Sequence, residues 1–167
     1  MTVTIIGVGL IGGSMALCLK GMGVADKVIG VGNNAESIAQ ALQLGIIDEA
    51  MTLEDAVKKA DIIYIAIPVD ATIDVVLQVL GFINENQIVI DAGSTKSALC
   101  DAVKDHPMRK QFVATHPMWG TEFSGPAAAT SAAFAGRACV ICDKEHSSAN
   151  ALNIVEKMYK DLGMHVI

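Results

Sequence analysis

Aromatic side chains are scarce in this sequence of 167 residues, 4% in all with a single tryptophan. Any core must therefore be filled by Val, Ile, Leu and Ala. Basic residues are also in deficit: 12 Lys and Arg stand against 18 Asp and Glu, a formal net charge of −6. Nothing in that balance attracts a phosphodiester backbone, which argues against a nucleic-acid binder. Long apolar runs are missing as well. The longest, Ile62 to Val69, is broken by Pro68 and falls far short of the ~20 residues that span a bilayer. The stretch before Gly7 contains no Lys or Arg, so the charged start of a secretory signal is lacking. The expectation is a cytoplasmic protein with no membrane partner. Cysteine is limited to Cys18, Cys100, Cys139 and Cys142. The last two form a Cys-x-x-Cys inside what reads as a strand, where residues three apart face opposite sides, and no second Cys or His pair sits at zinc spacing. They are read as small buried apolar side chains, and no metal is expected.

What is present is aliphatic and periodic. Apolar residues make up 52% of the chain and the mean hydropathy is +0.46, enough to offset the entropy of ordering one domain. Short β-branched runs at 3–6, 28–31, 62–67, 88–91, 112–115, 139–142 and 164–167 alternate with helical stretches near 10–22, 35–44, 53–59, 71–80, 96–104 and 148–162. Continuously apolar strands separated by helix-length segments predict a mostly parallel sheet buried on both faces. The predicted fold is α/β and doubly wound, with helices on both faces and one domain over 1–167. Ligands of such sheets bind beyond the carboxyl ends of the strands. The segment 116–137 lacks periodicity, and its Ala-rich stretch 127–133 reads either as a mobile loop over a site or as a loop whose composition carries no meaning.

Gly7-Val8-Gly9-Leu10-Ile11-Gly12 has the glycine spacing of a dinucleotide-binding turn and stands directly between the first strand and the first helix. Gly7 permits the tight turn, Gly9 lets the backbone approach a pyrophosphate, and Gly12 lets helix and strand pack closely. The helix start adds unpaired N–H groups, including those of Leu10 and Ile11, and the positive end of its dipole. A Rossmann-type domain is the reading. An acid that would hold the adenosine ribose is due about 20 residues after the last glycine, where Gly32 stands instead, followed by Asn33 and Asn34. Asn33 or Asn34 can still bond the ribose. A 2′-phosphate is not repelled there, yet Lys27 is the nearest cation. NAD is the expected cofactor, with NADP possible. Pro68 ends the most apolar strand and either lies against the cofactor or is ordinary punctuation. The turn Asp91-Ala92-Gly93-Ser94-Thr95-Lys96 offers two hydroxyls and an ammonium at a helix start, as a site, as a helix cap, or as both.

Thr115-His116-Pro117-Met118-Trp119-Gly120-Thr121-Glu122 places a histidine at a strand end, on the ligand-binding edge of the sheet, where imidazole can accept a proton from a substrate hydroxyl. The glycine turn, Pro68, the Asp91–Lys96 turn and above all His116-Pro117-Met118-Trp119-Gly120-Thr121-Glu122 together resemble the prephenate dehydrogenase family, with arogenate dehydrogenases as neighbours. The resemblance implies NAD-dependent oxidative decarboxylation of prephenate to 4-hydroxyphenylpyruvate in tyrosine biosynthesis. His116 would take the ring-hydroxyl proton, Ser94 would orient histidine and substrate, and Thr121 and Glu122 would line the mouth of the substrate site. Gly7, Gly9, Leu10, Ile11, Gly12, Asn33, Pro68 and Ser94 would contact the cofactor. The resemblance further implies a homodimer for the full-length enzyme and a second, helical domain that supplies an arginine for the substrate carboxylate. That domain is not within these 167 residues, so a piece able to bind cofactor but not to turn over prephenate is expected. Gly32 also departs from the pattern of NAD-dependent members. Three alternatives stand: an arogenate dehydrogenase using NADP, a reductase of the 6-phosphogluconate type, and a non-catalytic dinucleotide-binding module.

Overall fold

A computed structural model describes residues 1–167. In chain order the elements are β1 (Thr2–Ile6), α1 (Leu10–Gly21), β2 (Lys27–Val31), α2 (Ala35–Gln43), β3 (Glu49–Ala50), α3 (Leu53–Lys59), β4 (Ile62–Ile65) and α4 (Val69–Phe82). They continue with β5 (Ile88–Asp91), α5 (Ser97–Val103), β6 (Phe112–Pro117), β7 (Ala138–Cys142), α6 (Ala149–Asp161) and β8 (His165–Val166). The strands form one eight-stranded sheet in the order β3-β2-β1-β4-β5-β6-β7-β8. Strands β1 to β6 run parallel to one another, β7 reverses against β6, and β8 runs parallel to β7. The predicted doubly wound, mostly parallel architecture is present.

Alternation along the central strands decides which helices cover which face. Ile62 and Tyr64 of β4 and Val113 of β6 join one core with Met15 and Leu19 of α1 and Val155 and Tyr159 of α6. Ile63 and Ile65, with Phe112 and Ala114, face a second core containing Val57 of α3, Val76 and Val79 of α4 and Leu99 of α5. The core is largely aliphatic, as the composition requires, but Tyr64, Tyr159, Phe112 and Phe134 are among its largest fully buried side chains. Cys139 and Cys142 fall in the two different cores and are unpaired thiols. Three helices start on the side-chain caps that their sequences offer: Asn34 accepts from the Ser37 N–H, Thr52 from Asp55 and Ser148 from Ala151.

Several boundaries differ from the sequence reading. The two-residue β3 carries no apolar alternation of its own and exists because Glu49 and Ala50 continue the ladder beside Ile29 and Gly30. Strand β4 stops at Ile65, and Pro68 stands at the N-cap of α4. Strand β6 extends through His116 to Pro117, opposite Val140 and Cys139. Neither Ser94 nor Thr95 caps α5, whose cap position is Lys96 without a side-chain bond.

Candidate functional site

The strand order reverses between β1 and β4, and the crevice of an open α/β sheet belongs at such a point. A cleft of about 660 Å³ lies there. Its walls are the turn after β1 (Gly7 to Gly9), the end of β2 (Gly32, Asn33, Asn34), the start of α2 (Ser37, Ile38) and the turn after β4 (Ala66 to Pro68). Gly7 has φ +90°, and a Cβ on it would lie 2.3 Å from the Ala66 carbonyl oxygen. A Cβ on Gly12 would lie 2.0 Å from the Gly7 carbonyl oxygen, so this glycine serves helix-to-strand contact. Gly9 is different. Nothing lies within 4 Å of its would-be Cβ, so the fold itself does not demand glycine there, and the open space is on the cleft. Gly9 is also the N-cap of α1, with no side-chain cap and no acid in the first turn. The first N–H groups of α1, those of Leu10, Ile11 and Gly12, have no partners within the helix. An uncapped helix start behind a bare backbone turn suits an anionic pyrophosphate.

Of the expected cofactor residues, Gly7, Gly9, Asn33 and Pro68 line this cleft, whereas Leu10, Ile11, Gly12 and Ser94 do not. Ser37, Ile38, Leu53, Val75, Gly125 and Pro126 line it without having been singled out from sequence. The apolar period of α2 could have pointed to Ile38, but nothing local announces Gly125 and Pro126. These two belong to the long β6–β7 connection, which crosses α1 to reach the cleft. There the Thr130 N–H donates to the buried Ser14 Oγ at 2.9 Å, the Cys18 thiol donates to the Ser131 carbonyl at 3.3 Å, and Ala133 and Phe134 are buried. Trp119 meets Phe134 edge-on at 5.8 Å between ring centroids. The stretch 127–133, one reading of which was a mobile loop, is a strap tied to α1. Trp119, although it stands in the irregular segment after β6, packs partly against the core.

Of the remaining expected residues, Ser94 follows β5 and His116 lies near the end of β6, the next two strands along the same edge, and Thr121 and Glu122 stand in the connection after β6. Asp91 pairs with Ala114 in the parallel β5–β6 ladder. Ser94 therefore lies three residues beyond that pair, past the end of β5, and His116 two residues beyond it, still within β6 and opposite Val140. By strand alternation His116 falls on the face of Phe112 and Ala114, toward α4 and α5. His116 is partly exposed, while Ser94, Thr121 and Glu122 are exposed. None of the four lines the cleft. The Thr121 hydroxyl accepts from the Phe123 N–H at 3.2 Å.

Beneath these residues runs a buried polar chain that the sequence reading did not resolve. Asp91 Oδ2 accepts from the Gly93 N–H at 3.1 Å and from Lys96 Nζ, and Oδ1 accepts from the Thr115 N–H at 3.2 Å. In return the Thr115 hydroxyl donates to the Asp91 carbonyl at 2.6 Å and lies 2.7 Å from the Tyr159 hydroxyl, which reaches Tyr64 at 3.4 Å. Burial pushes the Asp91 carboxyl above its ordinary value although Lys96 and the two N–H groups pull against it. Burial raises both tyrosines, and it pushes the Cys139 thiol up to about 12. The tyrosines and Cys139 therefore stay neutral at pH 7 and act as hydrogen-bonding and packing groups.

The sequence profile of the family described as "Prephenate dehydrogenase, nucleotide-binding domain" matches residues 15–167. The prephenate dehydrogenase of Bacillus subtilis (strain 168) is 34% identical over 170 residues, a span that covers 99% of this chain and 46% of that protein. The cyclohexadienyl dehydrogenase of Zymomonas mobilis is 28% identical, with 96% of this chain and 55% of that protein covered. Among solved structures, prephenate dehydrogenase from A. aeolicus in complex with hydroxyphenyl propionate and NAD+ superposes with a TM-score of 0.92 at 31% identity, covering 100% of this chain and 59% of that one. The chain thus spans about half the length of these relatives.

Proposed function

This chain belongs to the prephenate dehydrogenase family, as its nucleotide-binding domain, and on that premise we propose that it forms the cofactor half of an NAD-dependent enzyme that oxidatively decarboxylates prephenate to 4-hydroxyphenylpyruvate. The observation that carries this reading is the placement of His116 and Ser94 on adjacent strand ends, along the carboxyl edge that also holds the switch-point cleft.

Gly7, Gly9 and the first turn of α1 would hold the pyrophosphate, with Asn33 at the adenosine ribose and Pro68 against the cofactor. Bound nicotinamide supplies the hydride acceptor. His116 accepts the proton of the ring hydroxyl as C4 is oxidised, and loss of the carboxylate as CO2 then restores an aromatic ring. The protein's share is to position two reactants and handle one proton. Ser94 orients the imidazole and the substrate hydroxyl, and Thr121 and Glu122 line the substrate's entrance. A second reading, use of NADP, is favoured by one feature: the adenosine corner presents Gly32 where a carboxylate would repel a 2′-phosphate. The same reading makes the longer protein a cytoplasmic homodimer with a further helical domain, in keeping with the family resemblance.

The test is His116→Asn in the protein expressed from the full reading frame. We expect prephenate-dependent reduction of NAD+ to fall at least a thousandfold, within the roughly 10²–10⁴-fold range of general-base contributions. The dissociation constant for NAD+ should stay within twofold. Full turnover by the variant would reject the role given to His116.

A further inference from the structure

We propose that Asp91 is a positioning residue of this site, its single carboxylate setting the spacing between Ser94, just past the end of β5, and His116, near the end of β6. The inference rests on the site reading above and deepens it. Asp91 sits at the last position of β5, and its side chain is 0% exposed. Each of its carboxylate oxygens holds the backbone just before one of the proposed functional side chains. Oδ2 takes the N–H of Gly93, which precedes Ser94, and Oδ1 takes the N–H of Thr115, which precedes His116. Lys96, whose side chain is 10% exposed, closes the far end of the same turn onto Oδ2. The link to β6 is reciprocal, because the Thr115 hydroxyl holds the Asp91 carbonyl.

At the carboxyl edge of the sheet, side chains therefore join the two strands, and one carboxylate holds the backbone ahead of both Ser94 and His116. Stability alone does not call for this arrangement. A buried ion pair is weak evidence for stability, and an apolar pair of similar volume commonly serves a core as well or better. A planar acceptor with two oxygens can instead hold two N–H groups in a fixed relation. Asparagine at this position keeps the shape but turns one acceptor into a donor, which opposes an N–H group and leaves the Lys96 ammonium without a counter-charge.

The test compares Asp91→Asn with Val113→Ala, a core truncation on β6, the strand that carries His116, whose side chain faces the other way. Both are made in the protein expressed from the full reading frame and assayed for prephenate-dependent NAD+ reduction, NAD+ affinity and thermal melting. The expected result for Asp91→Asn is a fall in kcat of about a hundredfold, the scale of an ångström's misplacement. KM for prephenate and the NAD+ dissociation constant should stay within threefold. Val113→Ala should melt earlier by a similar margin and keep kcat within threefold of wild type. If Asp91→Asn does not fold, Asp91→Asn with Lys96→Gln removes the stranded ammonium and carries the same expectation. A kcat within threefold of wild type in the folded Asp91 variant overturns the proposal, as does an equal loss in Val113→Ala. Wild-type protein that binds NAD+ but does not oxidise prephenate rejects the substrate reading itself, and this inference with it.

Discussion

Gly9 and Gly12 belong to one sequence motif, yet the structure assigns them opposite duties, and alanine at each position separates the two. At Gly12 the new Cβ would stand 2.0 Å from the Gly7 carbonyl oxygen and 2.9 Å from Cγ2 of the buried Ile5. Helix α1 must then move off β1, and overpacking of this kind costs about 1–3 kcal/mol or more. At Gly9 the Cβ meets nothing within 4 Å. Alanine is a poorer N-cap than glycine, by about 1 kcal/mol at most, and the smaller entropy of the unfolded chain returns about 0.4–1 kcal/mol. The net change in stability is within about 1 kcal/mol, a melting shift of no more than about 2–4 °C for a domain of this size. The methyl group nevertheless occupies the space through which the backbone would approach a pyrophosphate. We expect the NAD+ dissociation constant of Gly9→Ala to rise at least tenfold, or ~1.4 kcal/mol. Calorimetric titration with NAD+ and a thermal melt of the same sample measure both quantities. Gly9→Ala that binds NAD+ like wild type would refute the location given to the pyrophosphate. A Gly9→Ala protein that melts as early as Gly12→Ala would refute the division of duties.

Gly32→Asp tests the adenosine corner. Its Cβ lands 3.1 Å and 3.4 Å from the outer carbons of Ile38, a flexible side chain that can yield, and the new carboxylate should raise the NAD+ over NADP+ affinity ratio at least tenfold. An unchanged ratio in parallel titrations would place the ribose elsewhere. Asp143→Ala tests the other end of the sheet, where Asp143 bonds Arg109, whose side chain is 5% exposed, at 2.6 Å. Stranding that guanidinium should cost about 3–5 kcal/mol, and roughly 6–20 °C of melting temperature, with NAD+ affinity unchanged. Burial pushes the Asp143 carboxyl up, but hydrogen bonds from Arg109 and His146 outweigh it and hold the group below its ordinary value. Its contribution is therefore complete above the unfolded pKa of about 3.9 and is lost as pH falls through the lower folded value. Urea unfolding at pH 7 and pH 3 should show the gap between wild type and variant narrowing in acid; a gap that is equal at both would contradict that assignment.

What could be read from the sequence and what could not follow from how local each constraint is. The glycine turn was legible because its geometry is enforced within a few residues: Gly7 needs a positive φ and Gly12 a missing Cβ, whatever the rest of the chain does. The parallel core was legible because strands buried on both faces are apolar throughout. Strand β3 was not, since two residues held by their neighbour's ladder have no period. The reversal of β7 had a signal that went unused. Two parallel strands need a crossover, usually helical, and the segment between His116 and Arg137 contains no helical period. The strap over the cleft had no such signal, because Gly125 and Pro126 reach it through packing on α1 and α2, where Ser14 and Cys18, far earlier in the chain, hold the segment.

Asp91 marks the boundary between the two kinds of residue. From sequence it closes an apolar strand and opens a turn whose hydroxyls invite a capping role. Lys96 instead stands at the α5 cap position with its ammonium on Asp91, and that helix starts with no side-chain cap. Of the proposed site residues, His116 could be named because an imidazole at a strand end is unusual chemistry there, whereas Thr121, Glu122 and the role of Ser94 came from the family resemblance. The carboxylate beneath them escaped notice because its partners are backbone N–H groups, which every sequence contains. Its one visible trace is an acid as the last residue of an apolar strand with a lysine five positions on. A charge can be buried there only if it is paired and hydrogen-bonded, so that trace could have led from the sequence to the Asp91–Lys96 pair.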